Sequence, residues 1–363
     1  MTLKTRQSTY HTLSTALAYL TPDQLRTHLQ DAASAHGWGV NHTITLGKNK
    51  VFVKTIPVTD LELAHPFATK NLYDLPTYYN YGVGSAGLGV WRELVAHIKT
   101  TNWVLSGACE NFPLMYHYRI VPRMGDYSAV DPEQHERYVT YWNGNANIGQ
   151  YMLDRWNAKH ELVLFLEHFP HVLNTWMGKH LDQLDSFLAE LRKTVTFLRK
   201  NGLIHFDAHV GNTVTDGKRP YLTDFGLVLD KQFDLSENER AFFKKNTYYD
   251  EAEILAGLGW LLRRQFEALP DAQKAIILQK YGLETDTPWS QRYAVFLENV
   301  EQMSEVGDMN LARPLVAAVV RYREIIRLLL QFLTAMQNPQ KDAKFPNAKI
   351  KRLLKEAENA GLS

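Results

Sequence analysis

The feature that most constrains the fold is a change in hydrophobic pattern near residue 168. Before that point, short segments rich in β-branched residues alternate with turn residues, as in β-strands. After it, apolar residues recur at helical spacing over long segments, which predicts amphipathic helices. A sheet-rich half followed by a helix-rich half is typical of the α+β class. We therefore expect two lobes, the second of them mostly helical.

Residues 1–39 are expected to form a helical extension ahead of the sheet. Leu13 and Leu17 lie at helical spacing, and Thr21-Pro22-Asp23 predicts the start of a second helix. The first lobe should then cover residues 40–168, and the second lobe residues 169–363.

An insert is expected within the first lobe at residues 122–160. It contains the helix start Asp131-Pro132 and an Asn-Gly-rich break, and it separates two predicted strands. The predicted strands cover 42–46, 50–58, 112–121 and 161–166, and the predicted long helices cover 181–200, 249–266, 289–303 and 311–336.

Composition excludes several classes of protein. Lys and Arg (40) nearly balance Asp and Glu (39), so no overall field favours nucleic acid or an anionic membrane. The single cysteine, Cys109, excludes an internal disulfide and fits a reducing compartment. Neither the N-terminus nor the apolar segment 325–336 has the pattern of a secretion signal or a membrane span. We expect a cytoplasmic protein without nucleic-acid or membrane partners.

Two segments contain the residues that phosphoryl transfer requires. That reaction needs a carboxylate to orient the nucleophile, and oxygen ligands that hold Mg²⁺ on the phosphates. Asp207 can supply the orienting carboxylate, while Asn212 and Asp224 can supply ligands to the metal. The two motifs are His205-x-Asp207-x-x-x-x-Asn212 and Asp224-Phe225-Gly226.

Together these motifs resemble the catalytic loop and the magnesium loop of the protein-kinase-like superfamily. The presence of His209, and the lack of an arginine before Asp207, make the loop more similar to aminoglycoside phosphotransferases and choline kinases. The resemblance covers residues 40–340 loosely and residues 203–226 closely. It implies a bilobal kinase-like fold whose first lobe is an antiparallel sheet with a helix.

A zinc site is the alternative for the two histidines of the first motif. His205 and His209 are four residues apart and would share one face of a helix. However, Gly202 and Gly211 favour a loop, and Phe206 stands where a zinc protease would have glutamate.

The segment Val51-Phe52-Val53-Lys54 resembles the family's third strand, whose lysine grips the α- and β-phosphates of the nucleotide. The lysine's usual partner is a glutamate on the next helix, and Glu93 is the natural candidate here. Helical spacing puts Glu93 opposite the apolar stripe of its helix, so a solvated Glu93 is the alternative. In that case Glu62 would be the partner.

The phosphate-covering loop is less well defined. Gly82-x-Gly84-x-x-Gly87 follows the lysine strand, whereas the family's glycine loop precedes it. The segment is therefore either a flexible entry to the Glu93 helix or a loop that offers its amides to phosphate. Only Gly37-Trp38-Gly39 is available before Lys54.

The strand that ends at Glu167 resembles the one that leads into the family's interlobe hinge. The resemblance implies that the backbone of Glu167, His168 and Phe169 receives adenine. The expected function is an ATP- and Mg²⁺-dependent kinase that phosphorylates a hydroxyl of a small molecule or a protein. The alternatives are an inactive nucleotide-binding scaffold and an enzyme that transfers AMP.

Overall fold

The structure is a computed structural model that describes residues 1–30, 34–36, 40–123 and 130–360. It belongs to the α+β class, with an antiparallel sheet in the N-terminal half and a largely helical remainder, as the hydrophobic pattern predicts. In the described part of the chain, no helix is both long and apolar enough to cross a membrane.

The chain divides into two compact units, each built from two segments. The first unit contains Met1–Pro170 and Tyr221–Phe242. The second unit contains His171–Pro220 and Phe243–Ser363. The segment with Asp224 therefore belongs to the first unit, and the segment with Asp207 belongs to the second.

The main segment of the first unit contains the predicted helical extension, the predicted strands and the insert. The described helices and strands of this segment are α1 (Leu3–Tyr19), α2 (Pro22–Gln30), β1 (Ser34–His36), β2 (Val40–Leu46), β3 (Asn49–Val58), α3 (Asp60–Ala64), α4 (Val90–Leu105), β4 (Met115–Pro122), α5 (Pro132–Tyr141), α6 (Ala146–Trp156) and β5 (His160–Glu167).

The sheet of the first unit is antiparallel with the strand order β1-β2-β3-β5-β4. β2 and β3 form the predicted hairpin, and Gly47 takes the positive φ (59°) that its tight turn requires. In β3, Val51 and Val53 are completely buried, while Lys54 lies on the other face of the strand. Alternation along β3 thus fixes the direction of the Lys54 side chain.

α4 packs on the sheet through the apolar stripe that its sequence predicts. Trp91 and Leu94 lie in one buried cluster with Ile56 and Val58 of β3 and Leu164 of β5. Each of these side chains contributes about 1.5–3 kcal/mol by leaving water. This core fixes α4 against β3.

The insert is a helical hairpin of α5 and α6. Asp131 caps α5 by accepting a hydrogen bond from the Glu133 amide, as the sequence predicts. Trp142 is completely buried and contacts Tyr79 edge to face. A large aromatic contact therefore packs the insert onto the rest of the first unit.

The remaining elements are mostly helices of the second unit, and the predicted long helices are present. Four α-helices in this part of the chain were not predicted: Leu173–Met177, Glu237–Lys245, Asp271–Lys280 and Asn347–Ala360. Among its described side chains, the last of these helices has only Ile350 and Leu354 as buried apolar anchors in an otherwise polar segment. These elements are β6 (His171–Val172), α7 (Leu173–Met177), α8 (Leu184–Lys200), β7 (Leu203–Ile204), β8 (Thr213–Thr215), β9 (Pro220–Leu222), β10 (Leu229–Asp230), α9 (Glu237–Lys245), α10 (Tyr249–Glu267), α11 (Asp271–Lys280), α12 (Trp289–Glu305), α13 (Arg313–Met336) and α14 (Asn347–Ala360).

Candidate functional site

Lys54 is the centre of a charged cluster in the first unit. Its Nζ donates to Glu93 Oε1 at 2.7 Å and to Asp224 Oδ1 at 2.8 Å. The lysine and the glutamate are nearly buried, whereas the Asp224 side chain is 42% exposed. The expected contact between Lys54 and Glu93 is thus present, and Asp224 shares the same ammonium group.

Glu93 is buried because α4 is covered on both sides. Its apolar stripe faces the sheet, and the opposite face carries Glu93, His97 and Thr100, which are also buried. The alternative of a solvated Glu93 is therefore wrong. The signal in the sequence was this second, polar stripe at helical spacing, in which Glu93 is the only acidic or strongly basic residue. A face exposed to solvent would have no need to exclude charged residues in this way.

Glu62, the other candidate partner for the lysine, is committed elsewhere. It forms a capping box with Thr59 at the start of α3. Its Oε1 also accepts the Val90 amide at 2.9 Å, at the first residue of α4. Glu62 therefore joins the start of α3 to the start of α4 and leaves Lys54 to Glu93.

The charges of the cluster determine its protonation. Burial alone would lower the pKa of Lys54, but Asp224 and Glu93 outweigh burial and raise it. Burial alone would raise the pKa of Glu93, but Lys54 and His97 together outweigh burial and lower it. One ammonium faces two carboxylates, and the carboxylate of Asp224 reaches solvent. The cluster therefore has an excess of negative charge on its open side, which suits a cation.

The turn at Asp224 is held in an uncommon conformation. Asp224 has a φ of 66°, in the left-handed region that few residues other than glycine adopt. The Gly226 amide donates to Asp224 Oδ1 at 3.4 Å, and Gly226 O accepts the Leu88 amide at 3.1 Å. The turn is thus braced by the segment that precedes α4.

The glycine-rich segment 82–89 lies against this turn. A Cβ on Gly87 would come 3.2 Å from Gly226 O, so a larger residue would disturb the contact. On its other side, the hydroxyl groups of Tyr138 and Tyr141 in α5 donate to the carbonyls of Gly84 and Val83. The segment leads directly into α4. Gly37-Trp38-Gly39 lies outside the described residues.

The strand end expected to form the hinge is held by a residue that the sequence did not single out. Arg6 of α1 pairs with Glu167 at 2.6 Å, and both side chains are almost completely buried. The guanidinium also donates to the carbonyls of Glu110 and Phe112 and lies over the Tyr221 ring. Its five N–H donors therefore meet mostly oxygen acceptors.

Glu167 is engaged by its backbone as well as by its side chain. Its amide donates to Leu114 O at 2.8 Å, and its carboxylate accepts the Leu114 amide at 3.1 Å. Of the other two hinge candidates, His168 is partly exposed and Phe169 is buried with its ring 4.1 Å from that of Tyr221. The peptide groups beyond Glu167 are thus the better candidates to meet a ligand.

The Asp207 loop of the second unit is ordered by its own side chains. Asn212 Nδ2 donates to Asp207 Oδ2 and, at 3.1 Å, to Asp207 O. His205 is completely buried, and its Nδ1 accepts the Asp207 amide at 3.3 Å, so it braces the loop. The residues between β7 and the 3-10 turn at Val210–Asn212 are not helical, which removes the helix face on which the zinc alternative depended.

Two buried acids of α10, which were not predicted as site residues, lie beneath this loop. Asp250 accepts the amides of His205 at 2.7 Å and Phe206 at 2.9 Å. Glu253 accepts the Ala208 amide at 2.6 Å. Phe206 has a φ of 63°, and the two bonds to Asp250 hold this backbone in place. The signal in the sequence would have been acids at 250 and 253 directly before residues 254–262, which are all apolar.

The acids of α10 differ from Glu93 in their protonation. Burial raises the pKa of Asp250 to about 7, although the His205 and Phe206 amides act in the opposite direction. Burial, together with the nearby charges of Asp207 and Asp250, raises the pKa of Glu253 well above its usual value. Glu253 therefore releases its proton less readily than an exposed glutamate does.

No protein-family model and no curated protein matches the chain. Within the described residues, no group of three or more His, Cys, Asp or Glu side chains could hold a metal ion by itself. An ion at Asp224 would therefore need other oxygen ligands, such as an amide, water or phosphate.

Proposed function

We propose that the protein is an ATP- and Mg²⁺-dependent phosphotransferase with a bilobal, protein-kinase-like fold. The observation that carries this proposal is the cluster at Lys54. Glu93 and Asp224 lie 39 and 170 residues from Lys54 in the sequence, yet both accept a hydrogen bond from its Nζ. These are the residues that the resemblance to kinase-like proteins assigns to one nucleotide site.

In the first unit, Lys54 would bind the phosphates and Asp224 would be a ligand of Mg²⁺. Glu93 supports the lysine as a positioning residue, because it holds the ammonium group from the buried side. The open side of Asp224 fits a hard cation that prefers oxygen ligands. When bound, ATP would supply the phosphoryl group, and Mg²⁺ would neutralise the charge that develops on the phosphates.

In the second unit, Asp207 would orient the acceptor hydroxyl and take its proton. The acceptor oxygen forms a bond to the γ-phosphorus as the bond from that phosphorus to the bridging oxygen breaks, and ADP leaves. Asn212 orients Asp207 through its amide nitrogen, which leaves its amide oxygen as a candidate metal ligand. Adenine would meet the peptide groups of His168 and Phe169 rather than the amide of Glu167, which is bonded to Leu114.

Labelled ATP tests the reaction and separates it from its alternatives. The purified protein is incubated with Mg²⁺ and ATP labelled at either the α or the γ position, with choline, amino sugars and casein as acceptors. Transfer of the γ label supports the proposal. Transfer of the α label instead identifies an AMP transferase, and nucleotide binding without transfer of either label identifies an inactive scaffold.

Variants assign the roles. Asp224→Ala should abolish Mg²⁺-dependent nucleotide binding and turnover, because it removes a metal ligand. Asp207→Ala should keep ATP binding and lower turnover by about two orders of magnitude or more. Asp234→Ala, an exposed acid of the same segment as Asp224, is the matched control. Full activity in Asp224→Ala would disprove the metal assignment.

A further inference from the structure

We propose that His209 is a positioning residue that holds the Asp207 carboxylate through its Nε2–H group. The inference rests on the proposed function, in which Asp207 orients the acceptor hydroxyl. His209 Nδ1 accepts the Gly211 amide at 2.9 Å, and His209 Nε2 lies 3.5 Å from Asp207 Oδ1. The ring thus spans the distance from the backbone of the loop to its carboxylate.

The contact with Gly211 determines which ring nitrogen carries the proton. A backbone N–H can donate only to a nitrogen that has no hydrogen, so the neutral ring of His209 has its hydrogen on Nε2. That N–H group is the one near Asp207 Oδ1. At 3.5 Å the contact is long for a hydrogen bond, but such contacts often shorten when a catalytic complex forms.

The two oxygens of Asp207 are therefore served by different neutral donors. Asn212 Nδ2 donates to Oδ2, and His209 Nε2 faces Oδ1. Donors on both oxygens fix the plane of a carboxylate and the direction of its lone pairs. Because both donors are neutral, they do this without the charge that would make Asp207 a much weaker base.

Gly211 makes this arrangement possible. A Cβ on Gly211 would lie 2.7 Å from His209 Cε1 and 2.8 Å from His209 Nδ1, closer than side-chain atoms approach. The ring folds over a residue that has no side chain, and this brings Nδ1 to the Gly211 amide. The spacing His209-x-Gly211 is thus part of the arrangement that places the His209 ring beside Asp207.

Two substitutions of His209 distinguish the role of Nδ1 from the role of Nε2. In His209→Asn, the amide oxygen can replace Nδ1 as the acceptor for Gly211, but nothing replaces Nε2. In His209→Gln, the longer side chain carries an amide nitrogen that can replace Nε2. We expect His209→Asn to lower kcat about tenfold, as for loss of one positioning hydrogen bond, with the KM for ATP and the thermal stability unchanged. His209→Gln should restore most of kcat.

A lower kcat for His209→Gln than for His209→Asn would overturn the inference. So would a kcat equal to that of the wild type in both variants. Gly211→Ala provides a second check, because it displaces the ring while His209 is kept, and it should lower kcat as His209→Asn does. A wild type that transfers no label would count against the proposed function instead.

A measurement without turnover tests the geometry directly. In ¹⁵N spectra of the folded wild type, His209 should show the neutral form with hydrogen on Nε2. The tautomer with hydrogen on Nδ1 would overturn the inference whatever the activity of the protein.

Discussion

Two buried acids of the first unit and two of the second unit are held differently. In the first unit, Glu93 pairs with the cation Lys54, and Glu167 pairs with the cation Arg6. In the second unit, Asp250 and Glu253 accept backbone N–H groups of the Asp207 loop. The pKa of Glu93 is lowered and that of Asp250 is raised to about 7, so peptide dipoles alone do not offset burial here as a cation does.

This difference teaches what each set of acids is suited to. Ionised acids with a cation partner keep a fixed charge, which suits a site for phosphate and metal. Acids held by amides set the path of a loop, and they do so in a proton-dependent way. Glu93 and Glu253 should therefore respond in opposite directions to pH, because the pKa of the first is lowered and that of the second is raised. The two sets should also differ in what a substitution costs.

The largest effect is expected at the pair of Arg6 and Glu167. Arg6→Met leaves a buried carboxylate without its cation, which typically costs about 3–5 kcal/mol of unfolding free energy. Chemical denaturation measures this change. The double variant with Glu167→Met should recover much of the loss, because apolar groups of similar volume often replace a buried pair without cost.

A surface pair serves as the control for that measurement. Arg137 and Glu133 form an exposed contact in α5, at 3.4 Å, so Arg137→Ala should change stability by about 0.5 kcal/mol or less. If Arg6→Met proved as mild as Arg137→Ala, the distinction between cation-paired and amide-held acids would not hold for Glu167.

A smaller effect is expected for the coupling of Lys54 and Glu93. Lys54→Ala and Glu93→Ala should each weaken binding of Mg²⁺-ATP, and the losses should overlap because Glu93 acts through the lysine. A double-mutant cycle on the dissociation constant should give a coupling of about 0.5–3 kcal/mol. Additive losses would show that the contact seen at 2.7 Å does not serve the nucleotide.

The pH dependence of this pair has a definite sign. Since the pKa of Glu93 is lowered in the folded protein, its contribution to stability is present above the unfolded pKa of about 4.5. It is lost as the pH falls through the lower, folded pKa.

The smallest effect is expected at neutral pH for Glu253→Gln, and its sign is opposite. Because the folded pKa of Glu253 is raised, the wild type loses stability as the pH rises from the unfolded pKa of about 4.5 to the folded value. Glutamine resembles the protonated acid, so the variant should be at least as stable as the wild type near pH 7, with a flatter profile. Thermal unfolding from pH 5 to pH 8 tests this, and a parallel pair of profiles would contradict the raised pKa.

Features that follow from local pattern could be predicted from the sequence. The hairpin of β2 and β3 follows from alternation and a glycine turn, and α10, α12 and α13 follow from apolar periodicity. The contact between Lys54 and Glu93 was predicted from the resemblance of strand 51–54 to the family's third strand, with Glu93 as the glutamate of the next helix. These predictions depend on residues that are close in sequence or belong to one known pattern.

Features that depend on a distant partner were missed. Arg6 looks like an ordinary helix residue, because its role comes from a carboxylate 161 residues away. Asp250 and Glu253 lie in a helix that was predicted, but the backbone amides that donate hydrogen bonds to them belong to the Asp207 loop, which is distant in sequence. The sequence left open that the polar face of α4 is solvated, because the residues that cover this face belong to tertiary packing rather than to the helix itself.

The pair of Arg6 and Glu167 also bears on the order in which the chain folds. Closing a loop of 161 residues costs on the order of 4–5 kcal/mol of chain entropy, and Glu167 is held in place only when β5 has paired with its neighbours. We therefore expect α1 to dock after the folding transition state, so that Arg6→Met speeds unfolding and leaves the folding rate nearly unchanged. α1 would then govern how long the folded sheet persists rather than how quickly it forms.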